Sequence, residues 1–429
     1  MWKWVWRALQ TLCLAAILGM LISRSNSLPA DKIDQVRTYT RMQEFDFVSW
    51  TVDALLTKGA WISLGGSEYL DLAQQRQVVL DYLKQVDLVN QIAGQINALY
   101  SDPSIKDPQT QSQALTQRLD AAKARLNQLS PLAEAVLQSQ VTVVAAEDGL
   151  TLGGQPVPPI LYRTTDPPDA LIISPRNVIR EDADISLNPG LTSAQKDTLE
   201  TKIQSNLNLS ALVVGIGGIG LYPTMVMETS DLNWLAETVS HEWIHNFLTL
   251  RPLGLSYDAS PDMRTINETT ASLAGREIGA ALVRQYYPDQ VPPPTQATPP
   301  AASNGGSGTA GAVKPAFNFN AEMHLTRVTV DQMLAAGQIT QAESYMEQRR
   351  LFFWAHGYQI RKINQAYFAF YGAYNDVSAG GNANGTAGND PIGPAVVALR
   401  ARYPTLGGFL NRISWITSPA QLLAAAKSP

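Results

Sequence analysis

Residues 231–250 read DLNWLAETVSHEWIHNFLTL, and this stretch decides the fold. Asp231 is a helix-capping residue type, and no proline follows until Pro252. Leu235, Val239, Trp243 and Phe247 recur every four residues, so a helix is predicted from Leu232 to about Leu250. Four residues apart on that helix, His241 and His245 share a face where both imidazoles can reach one metal ion. Glu242, turned by about 100°, stands beside the metal without having to bind it. Two buried histidines next to a stray glutamate is the bland alternative, but a buried charge without a partner is costly.

A catalytic zinc takes three protein ligands and leaves the fourth position to water. The metzincin pattern would place glycine at 248 and histidine at 251, where this chain has Leu248 and Arg251. His324 and His356 lie beyond a Pro/Gly/Ala-rich stretch. Glu268 is the best candidate: it opens a second predicted helix, Asn267 to about Tyr286, 23 positions after His245. Two antiparallel helices can bring ligands at that separation together, and Asn267 can support one of them by a hydrogen bond. Between the helices, Arg251–Thr265 with Pro252 and Pro261 reads as a loop.

Upstream, strand-like runs Ala170–Ser174 and Ala211–Val214 precede glycines at 215, 217, 218 and 220. That glycine spacing matches a dinucleotide-binding turn, which requires a helix to open there. Leu221–Val226 includes Pro223 and β-favouring residues instead, so a glycine loop leading into a strand is expected. Tyr222–Met227 is the candidate edge strand for a peptide substrate, with Glu228 at its end placed to hold a free amine.

The flanking regions complete the domain plan. Residues 25–148 are expected to be a helical, membrane-proximal region. Its apolar face is carried by Val79, Leu83, Val86, Val89 and Ile92, then Leu115, Leu119, Ala122, Leu126 and Leu129, with a boundary at Ser130-Pro131. The span 31–145 is also the candidate surface for a protein partner. Residues 149–290 form the expected core, 291–316 a disordered insertion, and 317–429 a C-terminal helical subdomain completing the active site. There, helix is expected from about Val330 to Tyr374, interrupted near Gly337.

The chain begins with Trp2, Trp4 and Trp6 around Lys3 and Arg7, followed by the apolar run Ala8–Ile22. From Trp4 this makes nineteen residues, against about 20 for a membrane span. Tryptophans suit the membrane boundary, and Lys3 and Arg7 favour a cytoplasmic N-terminus. Residues 1–24 are thus expected to be a membrane anchor or a signal peptide. The first option gives a single-pass protein of the cell membrane with its catalytic domain extracytoplasmic, the second a secreted or periplasmic one. Cys13 is the only cysteine, which precludes an intrachain disulfide. A net charge of −5 carries no basic surplus and points away from nucleic acid.

His-Glu-x-x-His at 241–245 paired with Asn-Glu-x-x-Ala at 267–271, then Arg276-Glu277-Ile278-Gly279, resembles the gluzincin metallopeptidases. Within them it is similar to zinc aminopeptidases of the bacterial envelope. A weaker similarity runs from Asn364-Gln365-Ala366-Tyr367 to Tyr374 and on to Gly393-Pro394-Ala395-Val396. Ser272 stands where the thermolysin-like subgroup carries an aspartate, and both the N-terminal helical region and 291–316 lie outside the resemblance.

The resemblance implies an α+β, mostly helical protein with a gluzincin-like core: a small sheet with an edge strand, an active-site helix and a glutamate helix. It implies one zinc per chain on His241, His245 and Glu268, and hydrolysis of peptide bonds in a peptide or protein, with an aminopeptidase as the narrower expectation. Glu242 would be the general base toward the water at the zinc. Tyr374, with Tyr371 and Tyr367 on the same helix face, is the candidate oxyanion donor, although a tyrosine stripe at helical spacing is more often core packing. The competing function is a non-catalytic envelope scaffold that keeps a structural zinc site. Such sites usually close with four protein ligands, so the free carboxylate of Glu242 favours the enzyme.

Overall fold

The computed structural model describes residues 31–101, 106–292, 317–358, 360–371 and 391–427. The chain is α+β and mostly helical. It opens with α1 (Lys32–Thr40), α2 (Phe47–Leu64), α3 (Leu72–Ser101) and α4 (Pro108–Glu147). α3 and α4 fold back on one another, burying Val79, Leu83, Val86 and Ile92 with Ala122, Leu126, Val136 and Leu137. The predicted boundary at Ser130-Pro131 is absent, because Pro131 lies inside α4. Buried Leu126, Ala133, Val136 and Leu137 hold the helix on both sides of it. Ser130 Oγ occupies the carbonyl of Leu126 at 2.8 Å.

α2 turns a polar residue inward and apolar ones outward. Val48, Val52 and Leu56 are exposed, whereas Lys58 is buried and pairs through its Nζ with Glu134 of α4. The single-pass membrane placement expected from the sequence is corrected here. No described helix is long and apolar enough to cross a membrane, and even the apolar α2 carries Asp53 and Lys58. Segment 1–24, which carried that expectation as anchor or signal peptide, lies outside the described residues.

A hairpin of β1 (Thr151–Leu152) and β2 (Gln155–Pro156) leads to two three-stranded sheets. The first orders β5 (Ala183–Leu187), β4 (Asp169–Pro175) and β6 (Leu209–Gly215), antiparallel throughout. Leu171, Ile173 and Val213 face α5 (Ser193–Leu207) through Leu199 and Ile203. Ala170, Ile172, Leu212 and Val214 face the opposite way, into a separate core with Phe353 and Phe368. With both faces covered, the strands read as unbroken apolar runs. The second sheet comprises β3 (Tyr162–Thr164), β8 (Thr224–Val226) and β7 (Gly218–Ile219), in that order. The segment Tyr222–Met227 is therefore not an edge strand. β8 is central, parallel to β3 and antiparallel to β7, because the glycine segment pairs back on it and the Met227 N–H donates to the Gly217 carbonyl at 2.8 Å.

The metal-motif helix α6 spans Leu232–Thr249, with Asp231 accepting from the N–H groups of Asn233 and Trp234. After the short α7 (Pro252–Leu255), α8 covers Pro261–Tyr286. It starts earlier than predicted, because Ser260 caps the Met263 N–H and Pro261 occupies the first turn, where its missing N–H costs nothing. C-terminally lie α9 (Phe319–Ala335), α10 (Ile339–Ala355), α11 (Gln365–Tyr371), α12 (Ile392–Arg400), α13 (Leu406–Ile413) and α14 (Pro419–Lys427). Gly337, at φ +74°, makes the expected break between α9 and α10. Of the expected disordered insertion, 293–316 lie outside the described residues. Side chains of α3, α4, α6, α8, α12, α13 and α14 share one core, which encloses the metal-motif helices.

The buried Lys58–Glu134 pair gives a stability test. Glu134→Leu strands an ammonium and should lower the unfolding free energy by about 3–5 kcal/mol. Adding Lys58→Met should recover all but about 1–2 kcal/mol, the part owed to the Thr164 N–H that Glu134 also receives. Urea denaturation of the two variants reads this. Equal destabilisation in single and double variants would show that the backbone hydrogen bond, not the stranded charge, dominates.

Candidate metal centre

α6 holds the two imidazoles on one face, with His241 Nε2 and His245 Nε2 3.1 Å apart. From α8, Glu268 Oε2 reaches to 3.6 Å from the first and 3.5 Å from the second. A tetrahedral zinc with bonds of about 2.0–2.2 Å would set its ligand atoms about 3.3–3.6 Å apart, so the three donors form a face of the right size. α8 can come this near because Gly275 lies against His241. A Cβ at Gly275 would stand 2.8 Å from His241 Cβ.

Each donor is oriented by a neighbour. Asn267 Oδ1 lies 2.8 Å from His245 Nδ1. As an acceptor it holds a proton on Nδ1, so that His245 in its neutral form would present its Nε2 lone pair to the centre. Ser272 Oγ is 3.5 Å from His241 Nδ1, at the limit of a hydrogen bond. The Tyr257 hydroxyl donates to Glu268 Oε1 at 2.5 Å. The other oxygen, Oε2, is buried without a hydrogen-bond partner and points between the imidazoles. A buried carboxylate oxygen in that state fits a cation, as does the donor set of two nitrogens and one oxygen.

The electrostatics agree. Burial alone would raise the Glu268 pKa, but the neighbouring histidines hold it well below the usual carboxylate range. Burial would lower His245, yet the Glu268 carboxylate, reinforced by Glu242 and Asn267, pushes it up to about 9. Glu242 is raised, chiefly by burial, with the histidines opposing and Glu268 adding to the shift. The donor atoms of His241, Glu242 and His245 lie within 4.8 Å of one another, a group that can hold a metal ion. Glu242 nevertheless stands toward the sheet: its Oε1 is 2.9 Å from where a Cβ would sit on Gly218.

The structure thus brings together His241, Glu242, His245, Asn267 and Glu268, all singled out from sequence. The tyrosines fare differently. Tyr374 lies outside the described residues. Tyr371 packs on Tyr367 and Phe370, in the core that α9–α11 build against β4 and β6. Among the described residues neither Tyr367 nor Tyr371 has a ring contact with His241 or His245. Tyr257, which sequence reasoning passed over, does: its ring meets His245 edge-on at 6.3 Å. The Arg264 guanidinium lies 5.6 Å from the Tyr257 ring, one turn before Glu268 on α8, and pairs with Glu181. Tyr257 sits in the connection that sequence read as loop, where no spacing rule marks it. Glu228 lies in the wall of a separate cavity.

Set against known protein families, curated proteins and solved structures, the chain matches none.

If Tyr257 orients Glu268, Tyr257→Phe should weaken zinc binding by about tenfold, while Tyr371→Phe leaves it unchanged. Competition titration against a chromophoric chelator measures both. An unaltered affinity in Tyr257→Phe would remove Tyr257 from the site.

Proposed function

We propose that this chain is a zinc metallopeptidase of the gluzincin kind, hydrolysing peptide bonds in a peptide or protein substrate, with one zinc held by His241, His245 and Glu268. The observation that carries this is the triangle of donor atoms at 3.1, 3.5 and 3.6 Å, with a second acidic side chain, Glu242, beside it. A structural zinc site usually closes with four protein ligands; three plus an adjacent carboxylate is the pattern that leaves a position for reaction.

When bound, zinc supplies Lewis acidity, lowering the pKa of water and polarising the scissile carbonyl. The remaining work falls to the chain. Glu242 accepts the proton of the attacking water and returns it to the leaving amine, a task helped by a carboxyl pKa raised through burial. Asn267 and Tyr257 keep His245 and Glu268 aimed at the centre. β7 pairs only with β8 among the described strands, and it passes Glu242 at Gly218. Its outer edge can therefore take an extended substrate by backbone pairing. The aminopeptidase expectation came from the family resemblance and from Glu228, at the end of Tyr222–Met227, as a holder of the free amine. Glu228 lines a separate cavity instead, so the proposal covers peptide bonds in general.

Glu242→Gln should cut kcat on a quenched-fluorescence peptide library by about 10²–10⁴-fold, with one zinc per chain retained. An active Glu242→Gln protein would overturn the mechanism. A wild-type protein that binds one zinc and cleaves nothing would favour the scaffold.

A further inference from the structure

A cavity of about 440 Å³ opens between α2 and α4, at the end of the second sheet. Its wall includes Lys58 and Trp61 of α2, Asn127 and Glu134 of α4, Arg163 of β3, and Glu228 just past β8. The volume falls within the range of small-molecule sites. The metal ligands are not part of this wall, and α2 and α4 belong to the region outside the gluzincin resemblance.

The charges of the wall are nearly all committed. Lys58 pairs with Glu134, whose second oxygen accepts the Thr164 N–H at 2.7 Å. Arg163 pairs with Asp53 at 2.5 Å. Glu228 is left over. Among the described residues no hydrogen bond or ion pair meets its half-buried carboxylate. Burial raises its pKa, Asp166 adds to the rise and Lys123 opposes it, the condition of an anion short of a counter-charge. Two other groups suit a cation. The Trp61 indole, 43% exposed, presents an aromatic surface that attracts ammonium groups. Asn127, also in the wall, brings a side-chain amide oxygen that can accept from an ammonium group.

An anionic ligand would find both basic side chains already paired. A divalent metal ion wants several oxygen ligands and would find one uncommitted carboxylate. We propose that this cavity binds a small organic cation, a primary ammonium on an aromatic or aliphatic body, with Glu228 as counter-ion and Trp61 as the stacking face. The proposal does not depend on the metal chemistry.

Benzylammonium is a suitable probe, with benzyl alcohol as its neutral control. Calorimetric titration of the full chain should show saturable binding of the amine and at least about tenfold weaker binding of the alcohol. Glu228→Gln should weaken the amine by about tenfold, and Trp61→Leu, at an exposed position, by about threefold. Stripping metal with a chelator should leave the amine affinity unchanged. Absence of saturable binding, equal binding of amine and alcohol, full affinity in a folded Glu228→Gln, or loss of binding on chelation would each overturn the proposal.

Discussion

The meeting of the Glu268 carboxylate with the His241 and His245 imidazoles is the constraint on which the rest of this structure depends. Glu268 is 4% exposed, and a carboxylate at that depth is costly unless opposite charge or hydrogen bonds surround it. The imidazoles and the Tyr257 hydroxyl supply them only while α6 and α8 stay pressed together. Trp243, Ile244 and Phe247 on one helix, and Ile266, Ala271, Ala274 and Ile278 on the other, are buried in the same core. Apolar burial thus drives the approach, Gly275 permits it, and the polar cluster sits where the helices meet.

α6 also fixes the sheet beside it. Asn246 Nδ2 donates to the Leu221 carbonyl at 2.8 Å and to Thr224 Oγ1 at 3.1 Å, which ties the helix to β8 and the turn before it. On its neighbour β7, Gly218 abuts Glu242, and a Cβ at Gly220 would stand 2.7 Å from His245 Cβ. Of the glycines that imitate a nucleotide-binding turn in the sequence, Gly217, Gly218 and Gly220 therefore serve close packing. Side chains at Gly218 and Gly220 would push the strand away from the helix that carries His241 and His245.

What was legible in the sequence was what local spacing encodes. His241 and His245 share a face by helical geometry alone, and Glu268, expected near them from its place on the next helix, does stand beside both imidazoles. β4 and β6 showed as apolar runs because both faces are covered. Tyr257 was not legible, since its hydroxyl meets Glu268 only through the tertiary return of a loop. The edge position of β7 was hidden because Gly218–Ile219 is too short to alternate. Pro261 looked like a breaker although it starts a helix once Ser260 caps it. The direction in which Tyr371 faces depends on how α11 docks on β4 and β6, and that is set by residues far away in the chain. The same holds for Lys58, whose partner is 76 residues distant.

That distant pair acts on the sheet beside Glu242. Glu134 and Gln138 lie one turn apart on α4, and their side chains accept the backbone N–H groups of Thr164 and Tyr162 at 2.7 and 3.1 Å. They stand where a neighbouring strand would bond, and so close one edge of the β3–β8–β7 sheet. Lys58 neutralises Glu134, and α2 must turn Lys58 inward to deliver that ammonium, which leaves Val48, Val52 and Leu56 on the outer face. With β3 held in this way, its parallel register to β8, Tyr162 opposite Thr224 and Thr164 opposite Val226, places β7 in turn, with Gly218 opposite Val226. The sheet is then asymmetric: one edge is closed by helix side chains, and among the described residues the other is open next to Glu242. Backbone groups still free for pairing in this sheet therefore lie on the edge beside Glu242, next to His241 and His245.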